Sequence, residues 1–150
     1  MDVVLEKARQ RGTPEEAAAI ETRFFEHLES DEEMANLAAT IGGMYFYDRD
    51  CAAAKIFGIN TVFSAAYNRS VIDIHAQHNV VDRLGEIDVP TLVLCGADDF
   101  ITPYEQCSAR IHWGIPGSKL VMFERSGHMV FAEEQEKFLD VVSRFTRGLA

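Results

Sequence analysis

Apolar residues recur at helical spacing through the first half of the chain and gather into short unbroken runs in the second. Ala17, Ile20, Phe24, Phe25 and Leu28 follow Thr13-Pro14-Glu15-Glu16 at intervals of three and four. That tetrad offers an N-cap hydroxyl, a proline at the first helical position and a glutamate at the third, so a helix is predicted from it. Ser30-Asp31-Glu32-Glu33 opens a second helix carrying Met34, Leu37, Ala38 and Ile41, stopped by Gly42-Gly43. A third is expected near Cys51 to Phe57 with Gly58 as its stop, a fourth after Asn60, and a fifth capped by Ser70. Residues 1–80 therefore read as a helical subdomain. It is rich in aromatics: Phe24, Phe25, Tyr45, Phe46, Tyr47, Phe57, Phe63 and Tyr67.

Residues 81–150 change character. Thr91 to Cys95 is a continuous apolar run between Pro90 and Gly96, as expected for a strand covered on both faces. Thr102-Pro103-Tyr104-Glu105 is a further capping box and predicts a helix over 103–112. Pro116-Gly117-Ser118 turns the chain into a second strand, Lys119 to Phe123. Helical spacing returns with Phe131, Phe138, Leu139, Val142 and Phe145, and Gly148 suits a C-cap. Strand–helix–strand–helix with short loops implies a right-handed crossover and a parallel pair. The fold class is α/β: a helical subdomain over 1–80, then βαβα over 81–150.

Bulk composition narrows the classes of function. The chain has 150 residues, single-domain size, and 47% of them are apolar, enough for a core. A net charge of −10 argues against a nucleic-acid or anionic-membrane surface, which needs a basic patch. No apolar run approaches the roughly 20 residues of a membrane span. The acidic start, Met1-Asp2-Val3-Val4-Leu5-Glu6-Lys7, is not expected to be a signal peptide. Cys51, Cys95 and Cys107 are an odd number without close spacing, pointing to a reducing, cytoplasmic setting rather than a disulfide framework or zinc site.

Asp98-Asp99 and His128 are the candidate chemistry. Each falls just past a strand, where ligands gather in doubly wound sheets. A carboxylate beside a histidine fixes its tautomer and stabilises the imidazolium, so the histidine can serve as general base and acid. Asp98-Asp99 alone also reads as a turn, and Asp98 competes with Asp99 for the acid's role. Ser126, two residues before His128, is the one substitute nucleophile the sequence suggests, although neighbours in a loop seldom point at each other. Cys95, inside an apolar run, reads as core. His75 and His78 would share a helical face, but no third ligand recurs nearby, so a solvated helix is the reading and no metal or cofactor is expected.

Pro90-Thr-Leu-Val-Leu-Cys-Gly-Ala-Asp-Asp-Phe-Ile-Thr-Pro103 and Ser126-Gly-His128-Met-Val-Phe-Ala-Glu-Glu134 resemble the last two strands of an α/β-hydrolase, and within that fold the proline iminopeptidase branch. Residues 1–80 then resemble that branch's helical cap, and 81–150 its C-terminal portion. The resemblance makes Asp99, in Gly96-x-x-Asp99, the catalytic acid and His128, after Gly127, the catalytic histidine. It also implies a serine on a Gly-x-Ser-x-Gly elbow. None of Ser30, Ser64, Ser70, Ser108, Ser118, Ser126 and Ser143 has that setting. The expectation is therefore a truncated hydrolase with the nucleophile-elbow half absent. It would act on small esters or amides, or else be a non-catalytic subunit supplying cap, acid and base.

Two departures bear on substrate and assembly. The branch places a glutamate directly after the catalytic acid and another in the cap, to hold a free amine. Here those positions are Phe100 and Arg69, after Asn68. A neutral ester or amide fits better than an amino-terminal proline. Two strands also leave open sheet edges, so a homo-oligomer is expected.

Overall fold

Thr13 closes a full capping box. Its hydroxyl accepts from Glu16 N at 3.3 Å, and Glu16 Oε2 accepts from Thr13 N at 2.6 Å. Helix α2 (Pro14–Arg23) follows from it, preceded by α1 (Asp2–Arg11), which the apolar pattern had not marked out. The computed structural model describes residues 2–59 and 61–148. The helix ends at Arg23, so Phe24, Phe25 and Leu28 lie past it in the connecting segment. Ser30 caps α3 (Asp31–Ile41) by accepting from Glu33 N at 3.2 Å. Gly42-Gly43 does not release the chain. It tightens into a 3-10 turn over Gly42–Tyr45 and delivers Tyr45 and Phe46 to the interior.

Cys51 caps α4 (Ala52–Ile56) through its sulfur, which accepts from Ala54 N at 3.3 Å, and Gly58 turns the chain with φ +83°. The two helices expected beyond Asn60, itself outside the described residues, are one. Helix α5 (Ala65–Gln77) is capped by Ser64, and Ser70 lies inside it with its hydroxyl donating to Ala66 O at 3.0 Å. Inside a helix the N–H groups that a cap would serve are already bonded to carbonyls one turn back, so Ser70 has nothing to cap. His78 falls past the end of α5 as its C-cap.

In the second half, a 3-10 turn (Val81–Glu86) leads to β1 (Leu92–Gly96). The helix expected over 103–112 starts later, as α6 (Ser108–Gly114). The reason is local: Thr102 spends its hydroxyl and its N–H on the Asp99 carboxylate instead of capping. Then come β2 (Lys119–Phe123), α7 (Val130–Glu133) and α8 (Gln135–Thr146).

The strands pair in parallel, Leu92 opposite Lys119 through Gly96 opposite Phe123. Flanking bonds from Lys119 N to Thr91 O and from Ala97 N to Phe123 O turn the odd-numbered residues of β1 toward β2. The main-chain groups of Leu92 and Leu94 thus face outward. The outer edge of β2 is guarded by Lys137, whose Nζ donates to Met122 O at 2.7 Å and sits over the Phe123 ring.

The core draws on residues from both halves of the chain. Val4, Ala8, Ile20, Ile41 and Met44 pack around Phe100, which is fully buried. The second half thus plugs the core of the first.

Candidate active site

Gly96 ends β1 and lets the two strand tips close on each other. A Cβ there would run into the carbonyls of Gly127 and Ser126. Beyond it, Asp98 N donates to Ser126 O at 3.1 Å, tying the acid turn to the loop after β2. Asp99 follows, buried, with its carboxylate almost saturated. Oδ1 accepts from Ile101 N at 2.9 Å and Thr102 N at 3.0 Å, and Oδ2 from the Thr102 hydroxyl at 2.6 Å.

The remaining bond reaches across. Asp99 Oδ2 lies 2.8 Å from His128 Nδ1. An ionised carboxylate only accepts, so Nδ1 carries the proton and Nε2 keeps its lone pair. Among the described residues no side chain or main-chain group bonds Nε2. The His128 side chain is 35% exposed against 6% for Asp99. The His128 main chain is pinned too, its N–H donating to Tyr45 O at 2.7 Å. The Tyr45 ring stands edge-on to the imidazole, with centroids 5.8 Å apart.

Charge and burial tune the pair in opposite directions. Burial alone would push the Asp99 carboxyl up, but hydrogen bonds from His128 and Thr102 outweigh it and hold it below its ordinary value. The bond to Asp99 raises His128 above 6.5 against the opposing effect of burial. The Tyr45 phenol, buried and near the Asp99 charge, is pushed up to about 12 and is no acid at neutral pH. Such an arrangement can accept a proton at Nε2 and hold the resulting imidazolium.

The other candidates lie elsewhere. Asp98 Oδ2 pairs with Arg11 at 2.6 Å, so the acid that meets the histidine is its neighbour. Ser126 is fully buried, and its hydroxyl donates to Glu134 Oε2 at 2.8 Å. Among the described residues, no hydrogen bond joins Ser126 to the His128 imidazole. Cys95 is buried beside Val121, and burial pushes its thiol up. Among the described residues, no three His, Cys, Asp or Glu side chains come together as metal ligands would. Clefts of about 480 and 410 Å³ are lined by residues other than Asp99 and His128.

Arg11 and Glu133 escaped the sequence reading, and Gly96 reads there as the strand's end and the start of the acid turn but not as the point where the strand tips meet. Each acts on residues far away along the chain, and no spacing rule reports that. Gly96 alone left a trace, as a glycine directly after an apolar run.

A model of the alpha/beta hydrolase fold matches residues 24–135. The chain belongs to the α/β-hydrolase family. Its relatives include a proline iminopeptidase of Saccharolobus solfataricus, 42% identical over 67 residues, which are 45% of this chain and 21% of that protein. Another, from Lactobacillus crispatus, is 34% identical over 68 residues, 45% and 22% of the two chains. An esterase from Exiguobacterium antarcticum superposes with a TM-score of 0.66 at 23% identity, covering 97% of this chain and 47% of the esterase. The chain thus spans about half the length of that esterase and aligns with about a fifth of each iminopeptidase. Its α/β class, helices with a small parallel sheet, is that of part of this fold.

Within this α/β-hydrolase, the positions that departed from the iminopeptidase pattern have structural work. Phe100 is the plug of the shared core. Asn68 Oδ1 accepts from Leu28 N at 2.9 Å, and Arg69 donates to Leu28 O at 2.8 Å. Both hold the segment after α2 in place.

Proposed function

We propose that the chain carries the acid–base machinery of a hydrolase for small neutral esters or amides, with Asp99 orienting His128. The observation behind this reading is the 2.8 Å Asp99–His128 bond, made by a histidine side chain that is partly exposed and whose other ring nitrogen has no hydrogen-bond partner among the described residues. Neutral His128 takes the proton of an attacking hydroxyl at Nε2 as the new bond to the carbonyl carbon forms. Asp99 stabilises the imidazolium, which then gives that proton to the leaving oxygen or nitrogen as the scissile bond breaks. The 150 residues hold no Gly-x-Ser-x-Gly elbow. The attacking hydroxyl is then water, or a serine borne on another polypeptide segment.

The substrate is read as neutral because no carboxylate stands where an amine would be held. Phe100 is in the core, and Asn68 and Arg69 are committed to Leu28. Residues 1–80 serve as the cap and 81–150 as the C-terminal portion of the fold. The three cysteines are free, which suits a cytoplasmic setting.

A second reading is favoured by the outward-facing main chain of Leu92 and Leu94. On it the chain is a non-catalytic module that supplies cap, acid and base to the other half of a truncated hydrolase, or pairs with a second copy across that edge.

The deciding measurement is hydrolysis of a nitrophenyl acetate by the purified chain and by His128→Ala. A rate above background that vanishes in the variant supports the enzyme. Equal rates favour the module. A serine-directed phosphonate then separates the nucleophiles, since labelling at one serine excludes water. Release of proline from a dipeptide faster than ester cleavage would overturn the substrate class.

A further inference from the structure

Asp99 and His128 sit on different loops, and one short segment touches both. Arg11, on α1, donates to Asp98 O at 2.9 Å and pairs with Asp98 Oδ2, and the same guanidinium donates to Phe46 O at 3.0 Å. At the other end, Glu133 Oε1 accepts from Tyr47 N at 2.7 Å and Asp48 N at 3.1 Å, while its Oε2 accepts from Gly127 N at 2.7 Å. Between these ties, Tyr45 O takes the N–H of His128. Gly127 has no side chain to hold the two strips apart, and a Cβ there would stand 2.5 Å from Tyr45 O.

We propose that residues 44–48 form a splint for the acid–base pair, with Arg11 and Glu133 as the positioning residues that fasten it to the two loops. This deepens the reading of Asp99 and His128 as an acid–base pair and rests on it. A two-stranded sheet leaves loops at its tips with few restraints, because strand pairing ends at Gly96 and Phe123. The splint supplies the restraints the sheet lacks. Apart from the Arg11–Asp98 ion pair, the fastenings are made to main-chain groups, so they fix backbone position and hence where the side chains emerge. Both fasteners are suited to the task. A guanidinium has five donors in a fixed fork, and a carboxylate has two acceptor oxygens that can serve two loops at once.

The prediction concerns geometry; at Arg11 it separates from a charge effect by sign, while at Glu133, where losing the charge also lowers the titration, the Nδ1–H signal decides. The charged groups near the imidazole are Asp99, the Asp98–Arg11 pair, Lys7 on Asp99 O, and Glu133 and Glu134 beneath the histidine loop. Removing the Arg11 charge would, by electrostatics alone, leave Asp98 unpaired and drive the His128 pKa further up. Losing the splint instead loosens the Asp99 bond and lets His128 fall toward its ordinary value.

The test is NMR of the full 150-residue chain as wild type, Arg11→Met and Glu133→Gln, reading the His128 Nδ1–H signal and its titration. Glutamine matches the glutamate's shape but turns an amide donor toward one of the N–H groups, so it breaks one fastening. The expected result is a folded variant by circular dichroism with the Nδ1–H signal lost and the titration lowered, for both substitutions. Should Arg11→Met not fold, Arg11→Lys, which keeps the charge and loses the fork, is read the same way. An unchanged signal, or a raised titration in an Arg11 variant, overturns the splint. So does failure of all three variants to fold, which would make the contacts purely structural. A wild type that shows the signal but cleaves nothing would sink the proposed activity and leave the splint standing.

Discussion

Asp98 and Asp99 are adjacent and chemically identical, yet they are employed differently. One carboxylate meets a guanidinium and the other an imidazole. The consequence for pH follows from the two shifts. Asp99 is held below its ordinary value, so its contribution to stability is present above about pH 4 and is lost as pH falls through its depressed value. His128 is raised, so its contribution is full below about pH 6.5 and is lost as pH rises through its raised value. The stability advantage of wild type over His128→Gln is expected to peak between those limits. Urea unfolding at pH 5 and pH 9 checks this, and an advantage that grows at pH 9 would contradict it. The acid limb of ester hydrolysis should lie above the ordinary histidine value and move down in Asp99→Asn. Two apolar positions matter as much at this scale. Phe100→Ala should cost about 3–5 kcal/mol by emptying the shared core. Gly96→Ala should cost about 1–3 kcal/mol, because a methyl must be accommodated between two carbonyls.

Helix beginnings are decided by where hydroxyls and carboxylates go. Thr13 has a free helix end to serve and serves it; Thr102 faces a carboxylate and is drawn to that instead. A capping sequence is therefore a cap only when nothing stronger competes, and a charge-assisted bond is stronger. Thr13→Ala should destabilise the fold by about 1 kcal/mol in urea titration. Ser70→Ala should stay within about 0.5 kcal/mol, since that side chain only back-bonds inside α5. Equal costs at the two sites would mean that Ser70 does terminate a helix. The strand edges follow the same logic: β2 has Lys137 over its carbonyl, and among the described residues β1 has no comparable guard.

The molecule as a whole keeps apolar surface on view. Val62 and Trp113 are 93% and 72% exposed, and Leu139 on α8 is 59% exposed. Together with the open edge of β1, this makes association the expected behaviour. Sedimentation velocity across a hundredfold concentration range should show the average mass rising with concentration. A constant monomer mass would count against the homo-oligomer.

The chain's own order of residues determined what depends on near neighbours. The Thr13 box, the apolar runs that became β1 and β2, and the placement of an acid and a histidine at the two strand ends are all local or periodic. Hydrogen-bond geometry within a few residues enforces them. The tertiary structure alone decided which aspartate meets the imidazole, that Ser126 turns to Glu134, that Phe100 enters the helical core, and that Arg11 and Glu133 fasten the loops. Arg11 lies 87 positions from Asp98, and Glu133 lies 86 from Tyr47. Contacts at such separations are set by how the whole chain packs, and a polar side chain keeps several possible partners until packing leaves it one.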